Sequence, residues 1–260
     1  MDCHVTTGLL LTPLQVFIAG EYYLPLYFQA VKSATPIKSG LYILPLVIME
    51  AVVGFLGGLY IHRTGRYVDL IWVGFSIAIL GTGLYINLGV DTSLGAVIAF
   101  EIVAGAGMGC LFEAPIIALH AFVEQDEVAT ASATMGSVRN LSTSTSVVIG
   151  GIVLQNGMDI QQTRLRSAGL PETLLSQFTG KDAVANAEKM GQIADPMQQF
   201  AVKSAFAWSM RNMWIMYTVI SACGLIAAFF VSKSVLSKEH VETQTGIKEK
   251  KQQRPGETDA

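Results

Sequence analysis

Six side chains able to carry charge or hand on a proton stand inside long apolar runs of this 260-residue sequence: Glu21, Glu50, Glu101, Glu113, His120 and Arg139. An ionisable group facing lipid is costly, so groups of this kind normally face a protein interior or a wet cavity and mark an ion or substrate path. Gln29 adds an uncharged polar group to the same kind of run. Catalysis finds no support, because HExxH, GxSxG and a phosphate loop do not occur, and no enzyme activity is expected. His4, His62, His120 and His240 are scattered, and Cys3, Cys110 and Cys223 form an odd set. Neither a metal site, a cofactor nor a disulfide framework is indicated. GAGMGC (105–110) has alternate glycines, with Glu124 about 20 residues on, as a dinucleotide fingerprint requires. No strand precedes it, and small residues within an apolar run point to close helix packing instead. Asn140-Leu-Ser fits a glycosylation sequon but lies inside such a run, out of reach of a transferase.

The elements that must position these groups follow from composition. Hydrophobic residues make up 51% and charged residues only 14%, against about 25% charged in soluble chains. Residues 70–88 and 212–232 carry no charged side chain, and each run is long enough to cross a bilayer core of about 30 Å as a helix. Four interrupted segments read the same way: 8–31, 40–61, 95–123 and 130–155. Taken in chain order, these six expected spans are a (8–31), b (40–61), c (70–88), d (95–123), e (130–155) and f (212–232). Pro13, Pro25, Pro45 and Pro115 fit membrane helices, whose neighbours can satisfy freed backbone groups. The expected fold is therefore an all-α polytopic bundle over 1–232, set in a lipid bilayer. The amino terminus lacks the positive region of a signal peptide and reads as span a.

The apolar spans leave three polar stretches. The connector 156–211 reads as an outer cap with short amphipathic helices begun at Pro171 and Pro196. Residues 233–260 read as a disordered cytoplasmic tail. With the amino terminus inside, Arg63, Arg66 and six tail cations face eight outer ones, six of them in the long connector, where charge controls topology weakly. The short basic turn and the tail tip the orientation inward. Nucleic acid is not an expected partner.

Charge placement then orders the bundle. Spans a, b, d and e hold all the intramembrane charges, so they should surround a polar interior, with c and f outside. Glu113 and Arg139 both lie about 15 Å from the cytoplasmic ends of d and e, at about 1.5 Å per residue. Across a d–e hairpin they could form either a structural ion pair or part of a transport path. Glu101, near the outer end of d, reads as solvated, and His120 as sitting at the inner headgroups.

Residues 58–66, GLYIHRTGR, resemble the G-x-x-x-D-R-x-G-R signature loop of the major facilitator superfamily, with His62 where the family favours aspartate. Here Gly58 lets a neighbouring helix approach, Arg63 complements the carboxyl end of b, Gly65 makes the turn and Arg66 meets anionic lipid. YYLPLYFQAVKSATPIKSG (22–40), VRNLSTSTSVVIGGIVLQNGM (138–158), LSKEHVETQTG (236–246) and the GAGMG span with APIIALHA resemble the fungal fourteen-span drug:proton antiporter branch more closely. The resemblance covers nearly all of residues 8–246. It implies the carboxyl-terminal half of a proton-coupled exporter of drugs, toxins or secondary metabolites. Its spans a-b-c and d-e-f would be inverted repeats, and the halves would rock about a central site. Gly57-Gly58 and Gly150-Gly151, closing b and e, echo that repeat. The implied partners are a small organic substrate, protons, and a missing amino-terminal half or a second copy. The implied location is the plasma membrane, or a vacuolar one, with multidrug resistance as the physiological setting. The rival reading is a non-transporting membrane subunit, or a truncated inactive fragment, whose charges only hold helices together.

Overall fold

The computed structural model describes residues 3–122, 128–180 and 182–229; the side chains of 3–12 and 113–122 lie outside the description, as do Lys181 and the whole of the 233–260 segment. Among the described residues every regular element is helical. They are α1 (Cys3–Ala30), α2 (Pro36–Tyr42), α3 (Leu44–Thr64), α4 (Val68–Tyr85), α5 (Leu94–Phe122), α6 (Val128–Ile160), α7 (Gln162–Ser167), α8 (Glu172–Phe178), α9 (Asp182–Ala185), a 3-10 turn (Ala187–Gln192) and α10 (Pro196–Phe229). Four stretches are long and apolar enough to cross a membrane: Pro36–Thr64, Val68–Tyr85, Leu94–Phe112 and Pro196–Phe229. α1 and α6 match them in length, at 28 and 33 residues. The Ser, Thr and Gly content of α6 makes it the less apolar of the long helices.

Local chemistry explains most boundaries. Thr35 caps α2 by accepting a hydrogen bond from the Lys38 amide, with Pro36 in the first turn. Pro45 then starts α3 afresh, so the expected span b is a short helix and a long one meeting at Ile43. α3 ends where Gly65 takes the left-handed conformation (φ 71°) and its N–H bonds back to the Ile61 carbonyl. His62 and Arg63 occupy the last turn, against the negative end of the helix dipole.

Two expectations are corrected here. The segment from Pro196 is not a separate amphipathic helix before span f; it runs unbroken into it as the 34-residue α10, because neither Gly nor Pro interrupts residues 197–223. At about 1.5 Å per residue such a helix is about 50 Å long and must project beyond the hydrocarbon. Nor do d and e pack as a hairpin. α5 lies between α3 and α4, while α6 lies with α1 and α10, and α5 and α6 barely touch.

The bundle is thus two helix trios, α3–α4–α5 and α1–α6–α10, joined along α4 and α10. At that seam Trp72 donates to the Ala228 carbonyl (3.1 Å), its ring meets Phe229, and Tyr85 packs on Trp214 at 4.8 Å between centroids. Within the first trio the alternate glycines let backbones meet. A Cβ on Gly105 would fall 2.5 Å from the Leu46 carbonyl oxygen and one on Gly109 2.6 Å from that of Glu50, both on α3. One on Gly107 would strike the Ala78 backbone of α4. Packing is what these glycines do. In the second trio Tyr23 donates to the Val147 carbonyl (2.6 Å) and Tyr217 to that of Ser146 (2.7 Å), fastening α1 and α10 to α6 beside Gly150.

Residues 161–195 form a cap that buries Leu165, Leu170, Leu175, Phe178 and Met190 in the common core. Its α8 begins directly after Pro171. Through α7, α9 and the 3-10 turn the cap packs on α1, α6 and α10, the second trio.

Candidate functional site

On the side away from the α4–α10 seam the trios part around a cavity of about 430 Å³, within the range of small-molecule sites. Its lining comes from α1, α3, α5 and α6: Phe17, Ile18, Glu21, Val47, Glu50, Ala51, Gly54, Phe55, Phe112 and Arg139. The α5 glycines explain how Glu50 reaches it. With Gly105 and Gly109 pressed against its backbone, Glu50 is held close to α5 and its half-buried side chain extends into the gap. On α1, Glu21 stands four residues before Pro25, which has no N–H to return to the Glu21 carbonyl. Helix bonding is weakened beside the cavity.

Arg139 enters from α6. Its guanidinium carbon lies 4.3 Å from the centroid of the Phe112 ring, a cation–π contact, and Phe112 in turn meets Phe17 at 5.8 Å. Its charge acts on both Glu21 and Glu50. The ion pairs Arg66–Asp69 and Arg166–Glu172 lie elsewhere. Among the described residues, three charged groups therefore share one space without closing on each other, two acids to one base, between three phenylalanines.

The other expected site residues are distributed as follows. Glu113 and His120 lie on the last part of α5, outside the described side chains, so the expected Glu113–Arg139 contact does too. Gln29 is not on the cavity: its Nε2 reaches the Ser39 hydroxyl at 3.4 Å, and Ser39 donates to the Pro25 carbonyl, tying α2 to α1. Glu101 is not solvated. It is 0% exposed on the α4 side of α5, beside Tyr85, and neither carboxylate oxygen nor the Tyr85 hydroxyl has a hydrogen-bond partner. Depth along a helix could not reveal this, since it says nothing about which face a residue occupies.

The signature loop also differs in detail. Nothing lies within 4 Å of a Cβ placed on Gly58; the close approach is at Gly57, 3.0 Å from Leu70. Arg66 pairs with Asp69 at 2.6 Å. Phe17, Phe55 and Phe112 were not anticipated as site residues. Phe17 stands one helical turn before Glu21, a spacing that puts ring and carboxylate on one face. No group of His, Cys, Asp or Glu among the described residues could hold a metal ion.

The sequence is 42% identical over 231 residues to the MFS-type transporter ppz2 of Metarhizium majus, covering 89% of this chain and 40% of that protein. It is 39% identical over 236 residues to the efflux pump dotC of Dothistroma septosporum, covering 91% and 40%. An MFS-type transporter of Aspergillus terreus is 34% identical over 87% of the chain and 41% of its own length. The chain belongs with the fungal major facilitator superfamily transporters. It spans about two fifths of the length of the curated relatives it matches, in keeping with a carboxyl-terminal half. No family model matches it. A major facilitator chain with these apolar helices is a multi-pass membrane protein, and its named relatives are transporters and efflux pumps rather than enzymes.

Proposed function

We propose that this chain is the carboxyl-terminal half of a proton-coupled exporter of small organic molecules at the plasma membrane, with six spans (α1, α3, α4, α5, α6 and α10) in an inverted three-plus-three repeat. The observation that carries this reading is the meeting of Glu21, Glu50 and Arg139 on one cavity between the trios. An aromatic chamber with excess acid suits neutral or cationic ring-bearing molecules such as drugs, toxins or secondary metabolites. Glu21 and Glu50 are the groups in reach to take up a proton as cargo leaves.

Two features support the architecture. The first helix of each repeat packs on the last two of the other, α1 on α6 and α10, α5 on α3 and α4, and the two third helices, α4 and α10, meet each other. The cavity also leaves Val47 and Phe55 of α3 exposed among its charged groups. Such a mixed surface, with charges behind it, suits a second helical bundle better than lipid. That bundle is an amino-terminal half, or a second copy of the chain.

Arg139→Ala in a full-length context should abolish efflux while membrane abundance stays intact. Unchanged efflux would remove Arg139 from the mechanism. Liposomes holding the purified chain under a pH gradient address the rival subunit reading, since dye flux requires a pathway.

A further inference from the structure

A second cavity of about 430 Å³ opens at the capped end of the bundle, between the α4–α5 turn and α10; Asn87, Asp91, Phe200, Trp208 and Arg211 are among its lining. From its position and chemistry we infer that it is a binding site for the phosphate headgroup of a bilayer lipid. The inference rests on the chain's membrane placement, not on the transport reading.

Four observations lead there. The uncharged stretches 70–88 and 212–232 both stop at this cavity, which puts it where hydrocarbon gives way to headgroups. Trp208 sits at that level, the depth at which amphipathic rings settle, and Phe200 lines the same cavity.

The charges are uneven. Lys32 is held by the Val90 and Thr92 carbonyls, both at 2.6 Å, and lies over the Tyr27 ring. Burial draws its pKa below the ordinary lysine value, the attraction of Asp91 opposes this, and Lys203 adds to the lowering. Asp91 acts on Lys32 through its charge, while the Lys32 ammonium itself bonds to carbonyls. Arg211 is exposed and forms no ion pair or hydrogen bond among the described residues, so its guanidinium is open to an anion. A guanidinium fork suits a phosphate.

An apolar track leads away from it. Ile215, Val219 and Ile226 follow Arg211 on one face of α10 and are 40%, 56% and 59% exposed, enough surface for an acyl chain to lie along. A free anion would use only the cavity; a lipid uses both cavity and track.

The test is native mass spectrometry of the purified chain offered phosphatidylcholine, diacylglycerol or inorganic phosphate. The wild type should retain phosphatidylcholine in preference to diacylglycerol. Arg211→Gln should retain about tenfold less, the scale of one charge-assisted hydrogen bond, with Arg211→Lys intermediate. Trp208→Ala should weaken retention with Arg211 left in place. Equal retention by Arg211→Gln, or equal binding of diacylglycerol, overturns the inference. So does displacement of the lipid by inorganic phosphate, which would make this a free-anion site. Should Arg211→Gln fail to fold, the diacylglycerol comparison on the wild type and the Trp208→Ala variant still decide.

Discussion

Glu50 and Glu101 are both carboxylates at the edges of the same glycine-packed trio, yet they meet opposite surroundings. Glu50 looks into a chamber that also holds Glu21 and Arg139. Glu101 is sealed between α5 and α4 with no bonding partner. Burying a charge without a partner is among the costliest arrangements a protein can adopt. What separates the two is the glycine pattern. Where Gly107 and Gly81 bring α5 and α4 into backbone contact, no room remains for water; where α5 parts from α6, a cavity is left. Charge alone does not mark a pathway; space beside it does.

The comparison can be broken most severely at its cause. Gly107→Leu should eliminate folded, monodisperse protein on size-exclusion chromatography, because its side chain would occupy the Ala78 backbone. A well-folded variant would disprove the packing account. Next, in a chain whose native cysteines are replaced, Glu50→Cys should react with a membrane-impermeant thiol reagent while Glu101→Cys stays protected more than about tenfold, the contrast that local opening imposes on sealed sites. Equal labelling would erase the distinction between the two carboxylates. Glu101→Met should raise stability by about 1–3 kcal/mol, read as a higher thermal midpoint in detergent, since an unpartnered buried acid gives way to an apolar chain of similar size. A lower midpoint would show that the acid has a stabilising role. Smallest of all, Gly58→Ala should change stability by less than about 0.5 kcal/mol, as nothing stands near the added methyl. Gly57, one residue earlier, should tolerate a large side chain poorly.

Much of the architecture could be read from residue order. Uncharged runs located α4 and the membrane part of α10; Gly65 marked the signature turn, while the break between α2 and α3 inside span b was not read; the small residues Gly105, Gly107 and Gly109 pointed to close helix packing. Partnership between helices was harder to read. Spans d and e were expected to pack together because they are consecutive, but α6 packs on α1 and α10, and so Arg139 comes to the cavity that Glu21 and Glu50 also line. Such adjacency is decided by long-range packing that no local spacing encodes. The full extent of α10 was hidden for a different reason: Lys203 and Arg211 interrupt the apolar pattern without interrupting the helix.

One trait of α6 has a mechanical meaning. Thr134, Ser137, Ser142, Thr143 and Ser144 each donate to the carbonyl four residues back on their own helix. Satisfied internally, these hydroxyls need break no bond with a neighbour when α6 is displaced. A helix sheathed in this way offers few hydrogen bonds to whatever stands opposite, while the tyrosine fastenings at Ser146 and Val147 tie its middle to α1 and α10.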